Sequence, residues 1–330
     1  MYKIVLLPQK DRNDLFKETA NRMHVRTAIV EKDFWVVWTL DKLFTDEELS
    51  SILMFKGGTS LSKVFGLIER FSEDIDLILN WELLAEENPN EKRSKTQQDK
   101  FNKEINELAK VYIEEKIFPQ ISKLLEPYCK SSMADDGYSI KIQYPSIFRD
   151  EALLPYVLLE IGPLSSWFPY DTYQIISFAA KEFPEQFSRK YCNVKAIIAE
   201  RTFWEKATIL HQQANRPDTT QIPLRYSRHY YDLAKMALSS VKNKVLEKID
   251  LLFEVADFKK KFYICNWAKY EDVKTGNMKL VPPDYRIDEL KKDYISMKTM
   301  IFGKKLELEE ILKILKELET EANAKVISSL

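Results

Sequence analysis

FKGGTSLSKVFGLIERFSEDIDL, residues 55–77, is the stretch of this sequence that decides its fold. A short apolar run from Ile52 to Phe55 ends at a Gly-Gly pair, and apolar residues at helical spacing follow from Ser60 to Glu69. Beyond that, Asp74 and Asp76 alternate with apolar residues, as in a strand that has one polar face. The stretch is therefore predicted to form a strand, a tight turn, a helix and a second strand.

The Gly-Gly pair predicts a turn that can hold a phosphate. A strand that enters a helix through glycines exposes backbone N–H groups, and the first turn of the helix adds a partial positive charge. The residues predicted to bind a nucleotide here are Lys56, Gly57, Gly58, Thr59, Ser60 and Lys63. In this interpretation the hydroxyls donate hydrogen bonds and the lysines add positive charge. A tight connection without any ligand is the alternative, because glycine is the default residue of such turns.

The paired aspartates predict a metal site. Residues two apart in a strand share a face, so Asp74 and Asp76 point the same way while Ile75 packs on the other side. Two like charges in an apolar strand repel each other, and a divalent cation would neutralise them. Glu160, inside the apolar run from Tyr156 to Ile161, is a candidate third carboxylate. The alternatives are an acidic strand face without a metal, and an outward position on an edge strand for Glu160.

Two charged residues of the second half are candidates for the same chemistry. Lys206 shares a helical face with Phe203 and either extends its charge into water or contacts an anion. Asp232 has Arg228 four residues before it and Lys235 three residues after it, which alone indicates a surface ladder of ion pairs.

The remaining pattern predicts an α+β protein in two domains. Two helices are predicted within residues 11–44, a long helix at 97–125, and further strands at 138–144, 156–161 and 194–198. From Glu200 onward the pattern is almost wholly helical. We therefore predict a mixed sheet flanked by helices in residues 1–195 and a helical domain in residues 196–330.

The composition excludes several classes of protein. The 50 basic and 51 acidic side chains nearly cancel, so any contact with nucleic acid requires a local patch. The best candidate is Lys259 to Lys261 with the nearby rings of Phe262 and Tyr263, and a solvated helix face is the alternative. The three cysteines indicate neither a disulfide framework nor a metal site, and no apolar run approaches the roughly 20 residues that cross a bilayer. A cytoplasmic protein without a membrane partner is expected.

A glycine turn and a carboxylate strand separated by one helix form the layout of polymerase-β-like nucleotidyltransferases. Phe55 to Lys63 and Glu69 to Leu77 resemble the AbiEii/AbiGii family of nucleotidyltransferase toxins. Further stretches that share this resemblance are Glu31 to Trp35, Glu200 to Lys206, Ser227 to Leu233 and Leu280 to Pro283. Nearly the whole chain is covered by it.

The resemblance implies a polymerase-β-like core that uses Mg²⁺ or Mn²⁺ and a nucleoside triphosphate. It implies that Asp74 and Asp76 are catalytic, that Lys206 contacts the triphosphate and that Asp232 belongs to the active site. It further implies an RNA acceptor, most simply tRNA, and a growth-inhibiting toxin of a toxin–antitoxin or abortive-infection system, whose antitoxin need not bind it directly. Two alternatives stay open at this point: transfer of a nucleotide or phosphate to a protein side chain, and a catalytically silent nucleotide-binding module.

Overall fold

The computed structural model describes residues 2–330, which divide into two compact units. The first unit comprises the chain up to Val64 together with Phe71–Ile197. The second unit comprises Phe65–Arg70 together with Ile198–Leu330. The main break after Ile197 lies two residues beyond the boundary expected from the sequence, and the short segment Phe65–Arg70 groups with the helical half.

The first unit is built on a seven-stranded mixed sheet. Its strands are β1 (Leu53–Lys56), β2 (Asp74–Leu79), β3 (Lys130–Met133), β4 (Ser139–Gln143), β5 (Val157–Gly162), β6 (Tyr170–Ile176) and β7 (Tyr191–Ile197). They lie in the order β3-β4-β5-β2-β1-β7-β6. The β2–β5 and β1–β7 pairs are parallel and the other pairs are antiparallel.

Helices cover the apolar face of this sheet. They are α1 (Tyr2–Val5), α2 (Gln9–Met23), α3 (Thr27–Thr45), α4 (Glu47–Ile52), α5 (Gly57–Lys63), α6 (Lys95–Tyr112), α7 (Phe118–Leu125) and α8 (Phe178–Glu182). A π-helical turn at Ile113–Ile117 joins α6 to α7, so the predicted long helix is continuous. The central helix is α3, whose Trp35 stacks on Tyr144 with ring centroids 5.7 Å apart. Its apolar side chains and those of β2 belong to one core.

The second unit is helical. Its helices are α9 (Ala199–Ala214), α10 (Ser227–Ala237), α11 (Val241–Glu247), α12 (Asp250–Phe262), α13 (Tyr270–Val273), α14 (Ile287–Met297) and α15 (Leu308–Ser329). Helix α10 is central and packs on α9, α14 and α15, and its Tyr230 and Leu233 are fully buried. Among the described helices, none combines the length and apolar character that crossing a membrane requires.

The α+β architecture predicted from the sequence is confirmed, with two local corrections. The helix after the glycine turn was predicted for Ser60 to Glu69, but it runs over Gly57–Lys63. Gly66 then takes a φ of 61°, a left-handed conformation that does not continue a helix. Strands β3 and β6 were missed because both are edge strands with largely exposed side chains, so neither shows a strong apolar alternation.

Candidate active site

The glycine turn and the paired aspartates, separated in sequence, lie in contact in the first unit. Gly57 has a φ of 82°, which L side chains rarely adopt. A Cβ atom added to it would stand 1.9 Å from Oδ2 of Asp76. Glycine is therefore required at this position both by the backbone conformation and by the space that the carboxylate occupies. Any group held at the backbone of the turn lies next to Asp76.

The two hydroxyls of the turn have a structural function that was not predicted. The Thr59 hydroxyl donates a hydrogen bond to the backbone carbonyl of Asp74, and Ser60 Oγ donates to the carbonyl of Gly57 at 2.9 Å. Both side chains are buried. The prediction that these hydroxyls face a phosphate therefore needs correction: Thr59 ties the turn to strand β2, and Ser60 stabilises the turn itself.

Strand pairing places three carboxylates on one face of the sheet. Asp76 is the direct partner of Glu160 across the parallel β2–β5 pair, and of Lys56 across the antiparallel β1–β2 pair. Directly paired residues point to the same face, and Asp74, two residues before Asp76, shares it. Asp74 and Asp76 are half-buried, whereas Glu160 is exposed. This face of the sheet therefore carries the carboxylates of Asp74, Asp76 and Glu160, with the ammonium group of Lys56 on the neighbouring strand.

This donor set suits a hard divalent cation. Carboxylate oxygens are the ligands that Mg²⁺ and Mn²⁺ prefer, and a short extended strand offers two of them side by side. Asp74 and Asp76 are the residues that would hold the ion, and Glu160 is the candidate for a third ligand from the neighbouring strand. Within residues 2–330, no three His, Cys, Asp or Glu side chains already stand close enough together to be identified as a metal site.

Lys63, predicted to help bind phosphate, lies in the interior instead. Its ammonium group forms an ion pair with Asp33 of α3 and lies 3.6 Å from the ring centroid of Phe178. Burial lowers the pKa of Lys63 and raises that of Asp33, and the pair opposes both shifts. Asp33 also accepts a hydrogen bond from the backbone N–H of Phe178 at 2.6 Å. Lys63 therefore anchors the end of α5 to α3, and we leave it out of the proposed nucleotide site.

The same helix supplies a second buried ion pair directly beside the aspartates. Lys32 of α3 pairs with Glu73, the residue immediately before Asp74. It also donates to the carbonyl of Leu154 at 2.8 Å, while Glu73 accepts from the backbone N–H of Leu154 at 2.8 Å. Leu154 precedes strand β5. One buried lysine therefore holds the start of the aspartate strand and the approach to the strand that carries Glu160.

Glu31 completes a run of three buried charges on α3. Its carboxylate accepts backbone N–H groups from Ile147 at 3.0 Å and from Phe148 at 3.0 Å. Burial raises the pKa of Glu31, and these N–H donors oppose the rise. The contacts of this run were not predicted. The sequence does contain an indication of them: three consecutive charged residues lie inside an otherwise apolar helix, where exposure to solvent does not explain them.

A different charged cluster lies in the second unit, around Asp232. Arg70 binds the carboxylate with both ends of its guanidinium, Nε to Oδ1 and Nη2 to Oδ2, each at 2.7 Å. Lys206 Nζ lies 2.8 Å from Oδ2. Burial alone would raise the pKa of Asp232, but the two cations outweigh it and hold the pKa below its ordinary value. Asp232 is therefore ionised and shared by two cations.

The neighbouring groups show that this cluster is rich in positive charge. Burial lowers the pKa of Lys206 although Asp232 opposes the shift. His229, whose Nδ1 lies 3.5 Å from Lys206 Nζ, has its pKa far below the ordinary value because of burial and the nearby cations. The imidazole is thus neutral near pH 7. The cluster contains two cations for one carboxylate, with Arg228 also acting on it.

Two interpretations from the sequence are wrong for this cluster. Asp232 is not part of a surface ladder, because it is fully buried and its partners are Arg70 and Lys206. Lys206 does not extend into water, because it is only 6% exposed. The contact between Arg70 and Asp232 was missed, since nothing in the sequence connects residues 162 positions apart.

The family of the protein is decided by comparison with known sequences. The family described as the nucleotidyl transferase AbiEii toxin of type IV toxin–antitoxin systems matches residues 38–315. The chain belongs to this family. It is therefore a nucleotidyltransferase, and the predicted class of enzyme is confirmed. No curated protein matches the sequence.

Among solved structures, the AbiEii chain is similar to MenT4, a nucleotidyltransferase toxin from Mycobacterium tuberculosis H37Rv. The two sequences are 14% identical, and the TM-score is 0.46. The match covers 94% of this chain and 98% of MenT4.

Membership of the AbiEii family implies a substrate and a partner. A nucleotidyltransferase uses a nucleoside triphosphate, and a toxin of a type IV system has a cognate antitoxin.

The cationic run at the end of α12 stays a predicted RNA patch. Lys259 lies over the ring of Tyr263 at 4.3 Å, and Lys260 pairs with Glu271 at 3.8 Å.

Proposed function

We propose that this toxin is a Mg²⁺- or Mn²⁺-dependent enzyme that transfers a nucleotide from a nucleoside triphosphate to an RNA acceptor, most simply tRNA. The observation that carries the proposal is the contact between the glycine turn and Asp76, because it brings a phosphate-binding backbone against a carboxylate. The RNA acceptor and the growth-inhibiting outcome come from the resemblance to the toxin family.

The residues of the first unit have distinct tasks in this proposal. The backbone N–H groups of Gly57 and Gly58 donate to the phosphates, and Lys56 adds positive charge beside Asp76. Asp74 and Asp76 hold the divalent cation, with Glu160 as a further oxygen ligand. When bound, the cation supplies positive charge to the reacting phosphate and lowers the pKa of the acceptor hydroxyl.

The reaction is an in-line displacement at the α-phosphorus. The acceptor hydroxyl oxygen forms a bond to the α-phosphorus, and the bond from that phosphorus to the oxygen that bridges it to the β-phosphate breaks. The pyrophosphate leaves with the electron pair of that bond, and the hydroxyl proton passes to solvent. For the second unit we propose that Lys206 offsets the negative charge of the triphosphate and that Asp232 orients Lys206.

The test is transfer of label from each of the four labelled nucleoside triphosphates in the presence of Mg²⁺, total cellular RNA and total protein. Wild type is compared with Asp76→Asn, which keeps the shape of the side chain and removes its charge. The matched control is Asp99→Asn, an exposed carboxylate that pairs with Lys103 on α6. We expect label in small RNA with wild type and the control, and a loss of at least about 100-fold with Asp76→Asn.

Each other outcome points to a specific alternative. Label in protein would replace the RNA acceptor by a protein side chain, since the same turn and aspartates serve both reactions. Binding of nucleotide without any transferred label would favour a silent nucleotide-binding module. Equal transfer by Asp76→Asn and wild type would refute the proposed metal site.

A further inference from the structure

The loop that follows strand β5 lies across the sheet beside the proposed site and has two anchors. Ser165 Oγ accepts a hydrogen bond from Lys56 Nζ at 2.7 Å. Trp167 packs against a small apolar cluster of three residues that is separate from the main core. These residues are Met54, Ile78 and Ile197, each at most 1% exposed.

The apolar cluster lies on the same face of the sheet as the carboxylates. Met54 is the partner of Ile78, and two residues further along the same pair of strands Lys56 is the partner of Asp76. Residues two apart in a strand share a face. The step from Asp76 to Ile78 is about 7 Å along the strand. The apolar cluster under Trp167 therefore begins one such step along β2 from the carboxylate that contacts the glycine turn.

Trp167 combines the properties of a stacking platform. Its indole is only partly buried, and its bed of buried apolar side chains holds it in place. Every nucleobase offers a flat π face, and stacking on an aromatic ring tolerates any of the bases. A ring that packs on the cluster containing Ile78, two residues along β2 from Asp76, lies within the reach of one nucleotide whose phosphates occupy the turn.

We propose that Trp167 is the platform on which the base of the incoming nucleoside triphosphate stacks. The proposal rests on the proposed function, because it uses the phosphate position at the glycine turn. Trp167 then supplies affinity for the nucleoside part without selecting one base. Lys56, through Ser165, connects the phosphate end of the site with the loop that carries the ring.

The test compares binding of nucleoside triphosphates with binding of inorganic triphosphate, which has the phosphates and no base. The full chain is used as wild type, Trp167→Ala, Trp167→Phe and Phe168→Ala. The last is a matched control, because Phe168 is the adjacent ring, 63% exposed, and contacts Tyr170 with ring centroids 5.4 Å apart. Mg²⁺ is present throughout.

We expect Trp167→Ala to weaken nucleoside triphosphate binding about tenfold and to leave inorganic triphosphate binding unchanged. Trp167→Phe should restore most of the loss, and Phe168→Ala should change neither ligand. In turnover, Trp167→Ala should raise KM for the nucleotide and leave kcat nearly unchanged. Unchanged triphosphate binding also shows that the variant is folded at this site.

Three outcomes would overturn the proposal, and they differ from failure of the proposed function. If Trp167→Ala weakens the binding of both ligands equally, Trp167 supports the structure of the turn and does not stack on the base. No effect of Trp167→Ala on either ligand would remove the platform. A larger effect of Phe168→Ala would move the base to the neighbouring ring. If the wild-type protein binds neither ligand, the phosphate site itself is refuted, and the role of Trp167 with it.

Discussion

Replacing Gly57 by alanine tests whether the contact between the turn and Asp76 is needed for activity. An L residue in the left-handed region loses about 1–2 kcal/mol. The new Cβ would also stand 1.9 Å from Asp76 Oδ2, whereas ordinary contact begins at 3.4 Å, so the two groups have to separate by about 1.5 Å. Misplacing a reacting group by about 1 Å can reduce a rate about 100-fold. We therefore expect Gly57→Ala to lose roughly two orders of magnitude in kcat and more than the ~1–2 kcal/mol of stability that the backbone conformation alone costs.

Gly66→Ala is the matched control for this variant. Gly66 also has a positive φ, 61°, but nothing lies within 4 Å of the Cβ it would carry. It should therefore show only the backbone loss of about 1–2 kcal/mol and nearly normal activity. Chemical denaturation measures the first quantity, and single-turnover transfer of labelled nucleotide at saturating Mg²⁺ measures the second. Equal activity of the two variants, at equal folded fraction, would refute the link between the turn and the position of the Asp76 carboxylate.

Two further predictions concern the buried charges of the two units. Lys32→Met leaves the Glu73 carboxylate buried without its lysine, so it should reduce the free energy of unfolding by about 3–5 kcal/mol and raise the Mg²⁺ concentration for half-maximal activity. Adding Glu73→Gln to this variant should reverse much of both changes. A Mg²⁺ requirement identical to that of wild type would show that the pair does not position the aspartate strand. Asp232 has a pKa below its ordinary value, so its contribution to stability is complete above about pH 4 and is lost as the pH falls below that value. Asp232→Asn should therefore be less stable than wild type at pH 5–7, with the difference shrinking on acidification in denaturation experiments, and a difference that does not depend on pH would contradict the ionised state of Asp232.

The fold could be predicted where local patterns repeat. The apolar periodicity of α3 and the alternation of β2 are properties of short stretches: α3 is one of the two helices predicted within residues 11–44, and β2 begins at Asp74 as predicted. The strand β6 was missed because it lies at the edge of the sheet and most of its side chains are exposed, so it lacks the apolar alternation of an inner strand. The end of α5 was misplaced because Gly66, which terminates the helical pattern, lies among apolar residues that continue the spacing.

The candidate site could be predicted in its chemistry and only partly in its geometry. Gly57, Asp74 and Asp76 could be predicted as candidates from spacing, because a tight turn and a two-residue alternation are local, and the structure brings Gly57 against Asp76. The sequence could not show that Thr59 faces inward toward β2, because this depends on how closely the turn approaches the strand. It also could not show that the loop after β5 brings Trp167 onto the site face of the sheet.

The sequence by itself determined the family, the α+β class and the class of enzyme, and it supplied the candidate residues of the site. Tertiary structure decided the partner of each charged side chain. Lys63 looked like a phosphate ligand and pairs with Asp33, and Asp232 looked like a surface residue and is held by Arg70 and Lys206. The physical reason is that burial makes an isolated charge very unfavourable, so each buried charge takes the opposite charge that the fold brings near it, however distant that residue is along the chain.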